Sequence, residues 1–256
     1  PSTRTRLSFE SAISKLGGRI ISVENGNISS SSTKGESLED SISVISSYCD
    51  CVILRHGNDD SARLASLVSK VPIINAGAGK DEHPTQALLD TYTIYEKFGR
   101  LSDLKMTIVG DLYRGRTVYS LIYLLSKFPR NTFIFVSREN SRINNELRNY
   151  LLLNRISFKE TGDLTSSVVE TDILYITRIQ RERCVDEVEY IKAKEGLVVD
   201  ENLLKLLCKD AIIMHPLPRV DEITKEVDSD PRAYYFKQAE NGMWVRMALL
   251  INLFTP

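Results

Sequence analysis

The sequence predicts an α/β fold built on parallel sheets with helices on both faces, and three observations lead there. Short runs rich in Val, Ile and Leu alternate with longer stretches whose apolar residues recur at helical spacing. The short runs are nearly continuous in apolar character, as expected of strands buried on both sides. Polar and cationic residues follow these runs directly, at the carboxyl ends where such a sheet opens its ligand crevice.

Taken from the N-terminus, Pro1-Ser2-Thr3-Arg4-Thr5-Arg6 leads into an amphipathic stretch from Leu7 to Leu16 with Leu7, Phe9, Ile13 and Leu16 on one stripe. Hydroxyls and N–H groups at a helix start, joined by guanidinium forks, form a cradle for an oxyanion. A capped helix with a solvated basic face is the alternative on these residues alone. Strands are expected at Ile20 to Val23, Cys51 to Leu54, Val71 to Ile74, Met106 to Val109, Thr132 to Val136, Ile173 to Ile176 and Ala211 to Met214. Helices are expected at Leu38 to Tyr48, Ala62 to Val68, Thr85 to Phe98, Val118 to Phe128 and Asn144 to Leu153. The serine-rich stretch Ser29 to Ser32, running into Thr33-Lys34-Gly35, has loop composition and is expected to be mobile.

Composition narrows the function classes. At 256 residues a chain buries about 70–75% of its unfolded surface and needs no staples. A net charge of -1 with 26% charged residues excludes a broad basic surface for nucleic acid or anionic membrane, so the arginines act locally. Cys49, Cys51, Cys184 and Cys208 contain no C-x-x-C pair and no zinc spacing, which points to buried reduced thiols in a cytoplasmic protein. Apolar runs such as Val118 to Leu125 are too short to span a bilayer.

Five strand ends carry the candidate chemistry: Arg55-His56, Asn75 to Gly79, Gly110-Asp111, Thr177-Arg178 and His215-Pro216. His83-Pro84-Thr85-Gln86 stands ahead of a helical run, with Pro suited to the first helical position. Gly110-Asp111-Leu112-Tyr113-Arg114-Gly115-Arg116-Thr117 reads as a strand-turn-helix anion loop, and it lacks the G-x-G-x-x-G of a dinucleotide site. Thr177 to Arg183 is either a substrate-facing segment or a solvated helix face. The prolines of His215-Pro216-Leu217-Pro218-Arg219 exclude a helix or central strand and fix a rigid loop whose carbonyls are able to accept from an amide or amine. Converging polar groups from separate strand ends point to one shared site.

These segments together resemble the aspartate/ornithine carbamoyltransferase family nearly end to end. PSTRTR, KGE at Lys34 to Glu36, RH at Arg55, HPTQALLD at His83, GDLYRGRTV at Gly110, YITRIQRER at Tyr175 and MHPLPRVDEI at Met214 stand in the family's order and spacing. HPLP and TRIQ point to the aspartate branch, since ornithine enzymes carry HCLP and an SMG segment at those places. A carbamoyltransferase for another amino acid and a catalytically silent relative are the rival readings.

The resemblance implies two domains, each a parallel sheet flanked by helices, linked by two crossing helices near Pro84 to Phe98 and Tyr234 to Phe254. Residues 1–84 with 241–256 would bind carbamoyl phosphate, and residues 85–240 would bind aspartate. The implied reaction carbamoylates the amine of L-aspartate and releases phosphate in pyrimidine biosynthesis, with no cofactor or metal in this chain. Ser2, Thr3, Arg4, Thr5 and Arg55 would hold the phosphate. Thr5, Arg55 and His83 would polarise the carbamoyl carbonyl, while Gln86 and the backbone carbonyls of Pro216 and Leu217 hold its amide. Arg116, Arg178 and Gln180 would clamp the aspartate carboxylates, with Lys34 and Ser30 supplied by a neighbouring subunit. A homotrimer with shared sites follows, and a zinc-containing regulatory chain is a further possible partner, giving an allosteric holoenzyme. The chain begins inside the phosphate motif, so the helix and strand that precede it in the family are expected to be missing.

Overall fold

The computed structural model describes residues 3–23, 35–79, 83–113, 115–179 and 185–255, apart from the side chains of residues 189 and 193. The chain divides into two compact units, Pro1–Leu88 with Asn241–Pro256 and Leu89–Glu240.

In the first unit α1 (Thr3–Lys15) is followed by α2 (Leu38–Ile45), β1 (Val52–His56), α3 (Ser61–Val68) and β2 (Ile73–Ala78). Strand β1 pairs parallel with β2. Helix α2 starts where it does because the Ser37 hydroxyl accepts from the Asp40 N–H, and Glu39 and Asp40 suit the positive end of its dipole. The period of α1 buries Phe9 and Ala12, which join Ile74 and Ala76 of β2 and Leu250 in one apolar cluster.

Helix α4 (Pro84–Phe98) leads into the second unit, whose sheet holds β3 (Lys105–Val109), β4 (Thr132–Val136), β5 (Ser157–Thr161), β6 (Ile173–Ile176) and β7 (Ile212–Met214). All pairs are parallel, in the order β5-β4-β3-β6-β7. Helix α5 (Arg116–Leu125) joins β3 to β4 and α6 (Asn145–Leu153) joins β4 to β5. The chain then passes through the short α7 (Leu164–Ser167) and returns to the other side of β3 as β6. The strand order therefore reverses between β3 and β6, the position where doubly wound sheets open a crevice. Strand alternation divides the core in two. Met106, Ile108, Phe133, Phe135, Ile173, Tyr175 and Met214 pack on one face, and Val109, Val136, Leu174, Ile176 and Ile213 on the other. After β6 come α8 (Glu187–Lys194) and α9 (Glu201–Leu204), and after β7 the chain closes on α10 (Tyr235–Phe254). The boundary between the units falls inside α4 and inside α10. Among the described residues no helix is long and apolar enough to cross a membrane.

Three expectations are corrected. Ile20 to Val23 forms no strand; Ile21 is 77% exposed and Val23 66%, and an apolar run without a paired neighbour gains nothing from extended geometry. Strand β5 was not expected, because Ser157-Phe158-Lys159-Glu160-Thr161 is polar, as suits the edge of the sheet where it lies. Of the cysteines, Cys49 and Cys51 are half-buried and Cys208 is exposed, all three with free thiols, so the expected full burial fails; Cys184 lies outside the described residues.

Candidate active site

In the first unit, α1 opens at Thr3 and its first turn holds Thr3, Arg4 and Thr5 with no acidic residue. The positive end of its dipole is thus not neutralised from within that turn. Partial burial of the Arg4 guanidinium lowers its pKa from the ordinary arginine value. Strand β1 carries Arg55, whose Nη1 donates to the Ala76 carbonyl at 3.3 Å and stands 3.4 Å from His83 Nε2. A guanidinium only donates, so Nε2 faces it as an acceptor and the proton of a neutral imidazole sits on Nδ1. Gly77, at φ +122°, makes room for this pair: a Cβ there would lie 3.2 Å from Arg55 Nη1 and 3.8 Å from His83 Cδ2. His83 is buried, and its carbonyl accepts from the Gln86 and Ala87 N–H groups, which starts α4 with Pro84 at the first helical position. Gln86 lies in that first turn, which also lacks an acidic residue.

In the second unit, Gly110 directly follows β3, with φ +129° and its N–H donating to the Val136 carbonyl at 3.2 Å. A side chain at Gly110 would overlap the carbonyl oxygen and hydroxyl of Thr177. Thr177 in turn donates its N–H and its hydroxyl to the Val109 carbonyl at 2.8 and 3.1 Å, locking the ends of β3 and β6 together. This lock sets two arginines on the carboxyl-end rim of the sheet. Arg116 begins α5, after the turn in which the Leu112 and Tyr113 N–H groups donate to the Ser141 carbonyl. Arg178 directly follows Thr177. The Tyr119 hydroxyl braces the turn, donating to the Tyr113 carbonyl at 2.9 Å and accepting from the Asn144 N–H at 3.1 Å; burial pushes its pKa up to about 12. Thr177 and Ile179 are buried, so this segment is no solvated helix face over its described part.

The loop after β7 contains Pro216 and Leu217. Leu217 adopts φ +54°, a left-handed conformation for a branched side chain, and precedes a cis peptide bond to Pro218. Its N–H donates to His215 Nδ1 at 2.8 Å. Arg219 closes the loop with a two-point pair to Asp228, both contacts at 2.5 Å.

The structure thus joins Arg55 to His83, gathers Thr3, Arg4 and Thr5 in one helical turn, and puts Arg116, Arg178 and the Pro216–Leu217 loop after three strands of the second sheet. Ser2, Ser30, Lys34, Gln180 and the serine-rich loop lie outside the described residues. Sequence reasoning gave no role to Asp90, Gln238 or Glu222, although each is buried at 4% exposure or less. A carboxylate or amide inside an apolar stretch, as Asp90 stands in Ala87-Leu88-Leu89-Asp90, is the signal that was available.

Comparison with known proteins matches most of the chain to one family. Residues 1–96 match the family "Aspartate/ornithine carbamoyltransferase, carbamoyl-P binding domain", and residues 102–253 match its "Asp/Orn binding domain". The chain is 49% identical to the chloroplastic aspartate carbamoyltransferase of Arabidopsis thaliana over 98% of its own length and 64% of the relative's. It is 48% identical to the aspartate carbamoyltransferase catalytic subunit of Clostridium kluyveri, over 99% of its length and 82% of the relative's. Among solved structures, the catalytic subunit of M. jannaschii aspartate transcarbamoylase matches with a TM-score of 0.93 at 49% identity, covering 99% of this chain and 82% of that one. The Trypanosoma cruzi aspartate transcarbamoylase in complex with N-(phosphonacetyl)-L-aspartic acid matches with a TM-score of 0.90 at 37% identity, covering 98% of this chain and 79% of that one.

Proposed function

The chain belongs to the aspartate/ornithine carbamoyltransferase family, and from that premise we propose that it transfers the carbamoyl group of carbamoyl phosphate to the amine of L-aspartate. The products are N-carbamoyl-L-aspartate and phosphate, a step of pyrimidine biosynthesis. The observation that carries this reading is the Arg55–His83 pair: a fixed cation beside a buried imidazole whose remaining proton is on Nδ1.

The roles follow from charge and donor type. Thr3, Arg4 and Thr5 in the first turn of α1 bind the phosphate together with Ser2 and Arg55. Thr5, Arg55 and His83 stabilise the oxyanion that develops on the carbamoyl oxygen, and Gln86 and the carbonyls of Pro216 and Leu217 hold the amide. Arg116, Arg178 and Gln180 pair with the two carboxylates of aspartate. The amine then attacks the carbonyl carbon, a C–N bond forms, the C–O bond to phosphate breaks, and the amine proton leaves with the phosphate. No covalent intermediate is needed, because the donor already carries a good leaving group and positioning supplies the rest. On this reading residues 1–84 with 241–256 take carbamoyl phosphate and residues 85–240 take aspartate.

Ser30 and Lys34 act from a neighbouring subunit of a homotrimer. Two relatives are named catalytic subunits, which supports an assembly with further subunits; the partner on this reading is a zinc-containing regulatory chain that gives an allosteric holoenzyme. Free thiols at Cys49, Cys51 and Cys208 support a reducing location, the cytoplasm. Turnover by full-length protein with L-aspartate and with L-ornithine as rival acceptors tests the reaction: carbamoyl-aspartate is expected, and carbamoylation of ornithine alone would refute the assignment.

A further inference from the structure

Beneath the Pro216–Leu217 loop runs a buried polar chain that the reaction as described does not use. The Tyr175 hydroxyl donates to Asp90 Oδ2 at 2.8 Å, and Gln238 Nε2 donates to Asp90 Oδ1 at 2.6 Å. Gln238 Oε1 accepts from the His215 backbone N–H at 2.8 Å. The His215 ring then spans two partners, with Nδ1 accepting from the Leu217 N–H and Nε2 standing 2.8 Å from Glu222 Oε1. The other Glu222 oxygen accepts from the Val220 and Asp221 N–H groups, each at 3.1 Å. His215 is 1% exposed and Glu222 4%.

These partners fix the protonation of the ring. A backbone N–H only donates, so Nδ1 facing Leu217 carries no proton, and a carboxylate already accepting two N–H groups requires a donor at Nε2. His215 is therefore neutral with its proton on Nε2. The consequence falls on Leu217. A leucine at φ +54° persists only where its surroundings over-determine it, and here the imidazole acceptor and the short path back to β7 do so.

We propose that His215 and Glu222 are positioning residues for carbamoyl transfer: Glu222 fixes the His215 tautomer, and His215 Nδ1 holds Leu217 so that the loop carbonyls meet the carbamoyl amide. This rests on the carbamoyltransferase reading above. It makes the dyad specific to the carbamoyl half of the donor, because the loop is assigned to the amide and not to the phosphate.

The test compares two ligands in calorimetry on the full-length protein. His215→Gln keeps a donor for Glu222 and removes the acceptor for Leu217; carbamoyl phosphate should bind about tenfold more weakly, the scale of one lost hydrogen bond, while inorganic phosphate binds as in wild type. His215→Asn puts an amide oxygen near the Nδ1 position and should recover carbamoyl phosphate binding to within about threefold. Equal weakening of both ligands, or unchanged binding of both in folded His215→Gln, overturns the proposal. A ¹⁵N-histidine spectrum of the wild type needs no variant: a neutral ring protonated at Nε2 is expected for His215, and a cationic or Nδ1-protonated ring overturns it. A wild type that fails to bind carbamoyl phosphate would instead sink the reaction assignment, and the spectrum would still judge the dyad.

Discussion

Replacing Gly110 with alanine probes the joint between β3 and β6 that precedes Arg116 and Arg178. Two costs add. At φ +129° an alanine enters backbone space that is nearly glycine-only, about 1–3 kcal/mol. Its Cβ would also overlap the Thr177 carbonyl oxygen and hydroxyl and lie 3.1 Å from the Thr177 carbonyl carbon. Backbone cannot rotate aside as a side-chain tip does, so this overlap costs roughly another 1–3 kcal/mol. The expected total is about 4 kcal/mol, which for a chain of this size lowers Tm by roughly 8–16 °C. Gly99→Ala is the internal control: Gly99 has φ +66° but nothing within 4 Å of a built Cβ, so about 1 kcal/mol and a fall of roughly 2–4 °C are expected. Thermal melts of the three full-length proteins, followed by circular dichroism, read the difference. Any surviving Gly110→Ala protein should need more aspartate, because the strand ends that lead to Arg116 and Arg178 must part. Equal Tm values for the two variants, with a normal aspartate response, would refute the argument.

Arg4→Ala removes the donor proposed for the phosphate and should lower turnover by about 10²–10³ with an unchanged melting curve; near-normal turnover would contradict the phosphate role. Arg178→Ala should raise the aspartate KM strongly and leave carbamoyl phosphate binding in calorimetry unchanged, and an unaltered aspartate response would remove it from the clamp. Asp230 accepts from Arg232 Nε at 2.9 Å and from its Nη2 at 2.8 Å, which lowers the carboxyl pKa. A depressed folded pKa gives stability that is present above the ordinary carboxylate pKa of about 3.9 and lost as pH falls through the folded value. Urea melts should therefore show Asp230→Asn less stable than wild type at neutral pH, with the gap closing below about pH 4; a gap independent of pH would exclude this linkage. Mixing inactive Lys34→Ala with inactive Arg55→Ala chains should restore part of the activity on reassociation, and no recovery would count against Lys34 acting in trans.

The inner strands of the second sheet were legible because burial on both faces makes them continuous apolar runs, and Val109, Val136 and Ile176 end where those runs end. Edge strand β5 was not, since its alternate residues meet water and its composition reads as loop. Ile20 to Val23 failed in the opposite sense: composition reports an apolar run but not what pairs with it. In the candidate site, Arg55, His83, Arg116 and Arg178 stood out because each follows an apolar run or opens a helix. The His215–Glu222 pair stayed hidden because its meaning lies in which ring nitrogen faces which partner, a property of three-dimensional contacts alone. Arg219 likewise read as part of a loop motif, whereas its guanidinium is committed to Asp228 and the Tyr235 hydroxyl.

The central claim is direct transfer of the carbamoyl group between the two substrates. Full-length protein incubated with ¹³C-carbamoyl phosphate and ¹⁵N-aspartate tests it in one NMR spectrum. The account predicts a ¹³C–¹⁵N coupled carbamoyl signal that grows as phosphate is released. Phosphate released while the ¹³C appears only in uncoupled hydrolysis products would contradict it.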